Sequence, residues 1–137
     1  MLNVEKHQQW ERGIILLMNL DGWELEWIDD DKLHYSAKGK TPKGFDCVIA
    51  FKLLNTYFIN KSIQKWKYDA LMQEKCMKFY YVFDCKGNYL YHFDTLSMTE
   101  QFTFLDCQTN EAKLINEFIY LFSESQASIV TRYSEQN

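Results

Sequence analysis

Proline is nearly absent from this chain: Pro42 is the one example. No internal repeat, low-complexity tract or linker divides the sequence, so one domain over residues 1–137 is expected. No apolar run approaches the ~20 residues needed to span a bilayer, which excludes a membrane helix. The opening Met1-Leu2-Asn3-Val4-Glu5-Lys6 has no signal-peptide core, and a cytoplasmic location is the expectation. Paired cysteines are missing too. Cys47, Cys76, Cys85 and Cys107 fall at irregular intervals with no Cys-x-x-Cys, whereas a zinc site wants closely paired ligands. Without a secretion signal a disulfide framework is not expected, and the thiols read as reduced, mostly core, side chains. His7, His34 and His92 are equally dispersed and receive no metal role.

What is present is the composition of a folded protein. Apolar residues make up 47% and aromatics 17% of the 137 residues, which excludes disorder. Such a chain buries roughly two-thirds of its unfolded surface. Charge is uneven. Residues 1–37 carry three basic and eight acidic side chains, residues 38–78 nine and three, and residues 79–137 three and eight, for a net −4. The basic middle suits a phosphate-binding surface or, equally, a solvated lysine face. The acidity of the whole argues against a protein that coats nucleic acid non-specifically.

Periodicity predicts the elements. Trp10, Ile14, Leu17 and Met18 recur at helical spacing over 5–18, and Asp21-Gly22 stops that helix. Residues 23–28 alternate as a strand with one wet face. After a turn at Asp29 to Asp31, strands are predicted over 32–37 and 45–53, with a loop from Gly39 to Gly44 between them. A helix is predicted over 59–77, with Ile59, Ile63, Trp66 and Ala70 inward and Lys61, Lys65 and Lys75 outward. Strand 78–84 turns at Lys86-Gly87-Asn88 into strand 89–93, as a hairpin. Residues 101–105 add an edge strand. Thr109 or Asn110 caps a last helix over 111–123. The order gives an α/β fold, a mixed central sheet flanked by helices.

The most informative stretch is residues 35–52, Tyr-Ser-Ala-Lys-Gly-Lys-Thr-Pro-Lys-Gly-Phe-Asp-Cys-Val-Ile-Ala-Phe-Lys, followed by Lys67-Tyr68-Asp69-Ala70-Leu71-Met72. Together with the element order, these segments resemble the PD-(D/E)XK nuclease superfamily. The nearer likeness is to small phage-type proteins with an Asp-Ala-x-Gly-x-Thr-Pro-x-Gly strand-turn, then Glu-x-Lys, then a helix with Lys-Tyr-Asp-x-Leu-Met. The likeness covers roughly residues 5–95. It implies a restriction-endonuclease-like core (α-β-β-β-α-β).

In that family an Asp and a Glu hold a divalent cation, usually magnesium, which activates water and stabilises charge on the scissile phosphate. A lysine two residues after the Glu assists. Carried onto this chain, the Asp position falls on Ser36, the Glu position on Ala50, and the lysine on Lys52. Alanine cannot ligate, and serine is a poor ligand for a hard cation, so no metal and no cofactor are expected. Asp46 lies four residues from Ala50, about 13 Å along a strand. Glu11, Glu24, Glu26 and Asp69 remain as carriers of a relocated carboxylate.

The resemblance therefore implies an inactive nuclease-fold protein, encoded by a phage or mobile element, that acts by binding. Its partner is nucleic acid, through Lys38, Lys40, Lys43, Lys52, Lys67 and Tyr68, or a host or nucleic-acid-processing protein that it inhibits. Trp23, Trp27, Tyr80, Tyr89 and Tyr91 read as interface anchors or as core. The alternative is a magnesium-dependent nuclease with relocated ligands. A third reading is an assembly protein that dimerises through its sheet edge.

Overall fold

The first helix, α1 (Leu2–Leu20), sets one layer of the molecule. Ile14, Ile15 and Met18 are buried on one stripe and Trp10 packs beside them, while Leu16, Leu17 and Leu20 point to solvent. Gly22, at φ +102°, ends the helix in a conformation that favours glycine. The side-chain amide of Asn19 then acts like a strand partner. It donates to the Leu25 carbonyl at 3.0 Å and accepts from the Leu25 N–H at 2.8 Å, which ties the helix end to the sheet.

The structure is a computed structural model that describes residues 2–30, 32–54, 60–84, 86–95, 99–105, 114–127 and 129–132. The strands are β1 (Glu24–Trp27), β2 (Ala37–Lys40), β3 (Asp46–Leu53), β4 (Asn60–Gln64), β5 (Met77–Asp84), β6 (Gly87–His92), β7 (Thr99–Leu105), β8 (Leu114–Ser123) and β9 (Ile129–Arg132); α2 (Lys65–Leu71) follows β4 directly. A six-stranded sheet has the order β1-β2-β3-β5-β6-β9 and a three-stranded sheet the order β4-β8-β7. β3 and β5 run parallel, and the other described pairs are antiparallel. The fold is α/β with a mixed sheet, as the element pattern predicts. Among the described residues no helix is long and apolar enough to cross a membrane.

Alternation along the central strands divides the core in two. Cys47, Ile49, Phe51 and Phe79 face α1, together with Leu25, Ala37 and Leu90. Trp10 meets Phe51, Tyr81 and Phe83 edge-on, with ring centroids 5.6–6.1 Å apart. Val48, Ala50, Tyr80, Val82, Tyr89 and Tyr91 face the other way, onto Ile63 of β4 and Leu71 of α2. Both faces of β3 are thus covered, which is why it reads as an unbroken apolar run. Gly39 lets β1 cross closely: any Cβ there would run into the Glu24 backbone.

Several expectations are corrected. The strand predicted over 32–37 begins only at Ala37, because 32–36 turn; Gly39 and Lys40, predicted as loop, are strand. The helix predicted over 59–77 is a strand, β4, followed by the seven-residue α2. The change of period at Gln64 re-phases the side chains. Lys61, expected outside, is fully buried, and Trp66, expected inside, is 56% exposed. The helix predicted over 111–123 is the strand β8 where the structure describes it, from Leu114. Leu, Ile, Phe and Tyr dominate that run, and pairing with β4 and β7 overrides its helix-like spacing. The proposed caps Thr109 and Asn110 lie outside the described residues, as do Ile59, Cys85 and Cys107.

Candidate functional site

Lys52 follows Ala50 by two residues on β3, so both project from the face that α2 covers. Ala50 is 1% exposed and sits in the apolar cluster with Ile63, Leu71 and Tyr80. It fills core space there. Ser36 is half-buried next to β2. Its N–H donates to the Ile49 carbonyl at 2.9 Å and its carbonyl accepts from the Ile28 N–H at 2.8 Å. The two positions that the resemblance assigns to acids are therefore close, joined through the β3 backbone at Ile49, and neither offers a carboxylate.

The lysine of the helix segment arrives at the same place. Lys67 lies one helical turn before Leu71, which is fully buried against the Ala50 cluster, so Lys67 is on the sheet-facing side of α2. Burial lowers its pKa from the ordinary lysine value, and the nearby Lys52 charge lowers it further. Glu11 of α1 opposes both effects. Lys67 thus lies within the electrostatic reach of one further ammonium group, Lys52, and one carboxylate, Glu11.

Glu11 is the one relocated-carboxylate candidate whose charge acts on Lys67. Its Oε1 accepts from Trp27 Nε1–H at 3.1 Å, and the Arg12 guanidinium lies 4.0 Å over the same indole. Asp69 is taken by Lys65 at 2.8 Å. Glu24 and Glu26 stand exposed on the edge strand, and Asp46 pairs with Lys40 at 2.8 Å at the opposite end of β3. Among the described residues no three His, Cys, Asp or Glu side chains gather as a metal-ligand set. Ser36 and Ala50, at the positions where the resemblance expects acids, do not fit a two-acid magnesium shell.

The six basic and aromatic candidates do not form one patch. Lys38, Lys40 and Lys43 are exposed around the β2–β3 turn. Asp46, the partner of Lys40, lies six positions along β3 from Lys52, about 20 Å. Tyr68 packs its ring against Phe93 at 5.3 Å and supports the α2 face instead of reaching outward. Of the proposed anchors, Trp23, Tyr80, Tyr89 and Tyr91 are core and Trp27 is half-buried. Cys47 is buried, and burial with Cys76 nearby pushes its thiol up to about 12, so it is no thiolate at neutral pH.

The aromatic that the sequence reading placed wrongly is Trp66. It precedes Lys67 on α2 and its exposed indole meets the His34 ring edge-on, with centroids 5.4 Å apart at 78°. No periodic signal could have found it, because the strand-to-helix change at Gln64 sets which way it points. No family model, curated protein or solved structure matches the chain.

Proposed function

We propose that the chain is a binding protein on a restriction-endonuclease-like core, which takes a backbone phosphate of nucleic acid at Lys52 and Lys67 and does not cleave it. One observation carries this: α2 turns the half-buried Lys67 toward the β3 face from which the half-buried Lys52 projects, and among the described residues Glu11 is the one carboxylate whose charge acts on Lys67. Like charges held together out of water repel, and a phosphate oxygen relieves that repulsion with charge-assisted hydrogen bonds. The likeness to small phage-type proteins supports an origin in a phage or mobile element. Lys38, Lys40 and Lys43 act in this reading as a second, solvent-exposed contact that begins about 13 Å from Lys52, opposite Val48.

Fluorescence anisotropy of labelled oligonucleotides across a salt series tests the proposal. Binding is expected to weaken with salt, and Lys52→Ala to reduce the slope by about one counterion. Plasmid incubated with magnesium or manganese is expected to stay intact. No binding at low salt would sink the proposal and favour a protein partner. Glu11's field at Lys67 favours one second reading, a nuclease with a relocated carboxylate. Metal-dependent cleavage that disappears in Glu11→Gln would establish it.

A further inference from the structure

An exposed tryptophan is unusual enough to require a reason, because the side chain has more apolar area to lose than any other. Trp66 is 56% exposed at the first turn of α2. It is held, not loose: the His34 ring meets it edge to face, so the 32–36 turn braces the indole on α2. It also adjoins cations. Lys65 before it is held by Asp69, and Lys67 after it turns toward the sheet, within the electrostatic reach of Lys52. A fixed, solvent-facing ring next to phosphate-binding lysines is the combination that single-stranded nucleic-acid binders use, since every base has a π-face to stack and every link a charge to neutralise. A duplex keeps its bases stacked on one another and offers none to such a ring.

We infer that Trp66 is a base-stacking platform, and that the ligand of the Lys52–Lys67 site is single-stranded nucleic acid with one unstacked base laid on the indole. The inference rests on the phosphate-binding reading above and names its substrate class. The His34 edge fixes the plane of the ring, so a base covers the open side. The phosphate next to that base then falls to Lys67 and Lys52.

The test uses the full chain, a fluorescein-labelled twenty-nucleotide dT strand and a blunt duplex of equal length at low salt. Single-strand binding is expected to exceed duplex binding. Trp66→Ala is expected to weaken the single-strand complex roughly 5- to 100-fold, and Trp66→Phe to recover most of that loss. Intrinsic fluorescence is expected to be quenched by dT and to lose that response in Trp66→Phe, because the tryptophans Trp10, Trp23 and Trp27 are half-buried or buried. Unchanged affinity in Trp66→Ala, alongside a loss in Lys52→Ala, overturns the stacking platform and leaves the phosphate site standing. Equal losses on strand and duplex in Trp66→Ala overturn the single-strand assignment. Absence of binding to either nucleic acid overturns both readings.

Discussion

Lys61 Nζ lies 2.7 Å from Asp84 Oδ2, and neither side chain reaches solvent. The ammonium also sits 4.4 Å over the Tyr89 ring. The other carboxylate oxygen of Asp84 accepts from the N–H groups of Lys86 and Gly87 at 2.7 and 3.0 Å. Lys61 belongs to the three-stranded sheet and Asp84 to the six-stranded one, so this pair pins the two sheets together, with the Tyr80 hydroxyl donating to the Ser62 carbonyl beside it at 3.1 Å.

Removing one partner leaves the other charge buried and unpaired. Lys61→Ala is expected to cost about 3–5 kcal/mol, read as a lower urea midpoint. Lys40→Ala is the comparison. Its pair with Asp46 is solvent-exposed on both sides, and its removal is expected to change stability little.

Ala50→Glu restores an acid at the position where the resemblance expects one. Ala50 is enclosed by Ile63, Leu71 and Tyr80, so the new carboxylate would be desolvated and overpacked. A loss of about 3 kcal/mol or more is expected, with no metal-dependent cleavage. Thermal unfolding and a plasmid assay with manganese check both halves.

Asp94 supplies a pH dependence. Partial burial pushes its carboxyl up, but the Lys78 ammonium at 2.7 Å, the Lys78 N–H at 2.8 Å and nearby His92 outweigh that and hold it below the ordinary carboxylate range. Its contribution is therefore complete above the unfolded value near pH 4 and is lost as pH falls through the lower folded value. Asp94→Asn is expected to cost about 1–2 kcal/mol at pH 7. The gap to the parent protein should close as unfolding is followed from pH 5 down to pH 2. A gap constant across that range would contradict the assignment.

Local signals made part of this molecule legible. Helical spacing through Trp10, Ile14 and Met18, the Gly22 stop and the apolar run of β3 located α1 and the central strands. Lys52 and Lys67 were legible as candidates through the resemblance, and the influence of one charge on the other depends on α2 packing on the β3 face. After Leu54 the hairpin of β5 and β6 and the strand β7 were legible, but the stretch 60–71 was not. Ile63, Trp66 and Ala70 satisfy one helical stripe on paper, yet Ile63 belongs to a strand and the other two to the helix that follows it directly. That switch buries Lys61, which no charge pattern foretells, because its partner Asp84 is 23 residues away. The same switch exposes Trp66. Leu114–Ser123 failed for a related reason: its strand partners, β4 and β7, are distant in sequence, and pairing decided between two conformations that the apolar spacing left open.

The most direct measurement is a pH titration of the Lys67 side chain by NMR, in ¹³C-lysine-labelled protein assigned through Lys67→Arg. In the free protein Lys67 is expected to titrate below the ordinary lysine value, because burial and Lys52 disfavour its charge. Saturating dT oligonucleotide is expected to move that titration upward, as a phosphate between the two ammonium groups favours the protonated form. A Lys67 titration that stays where it was with the oligonucleotide bound would contradict a phosphate at this site.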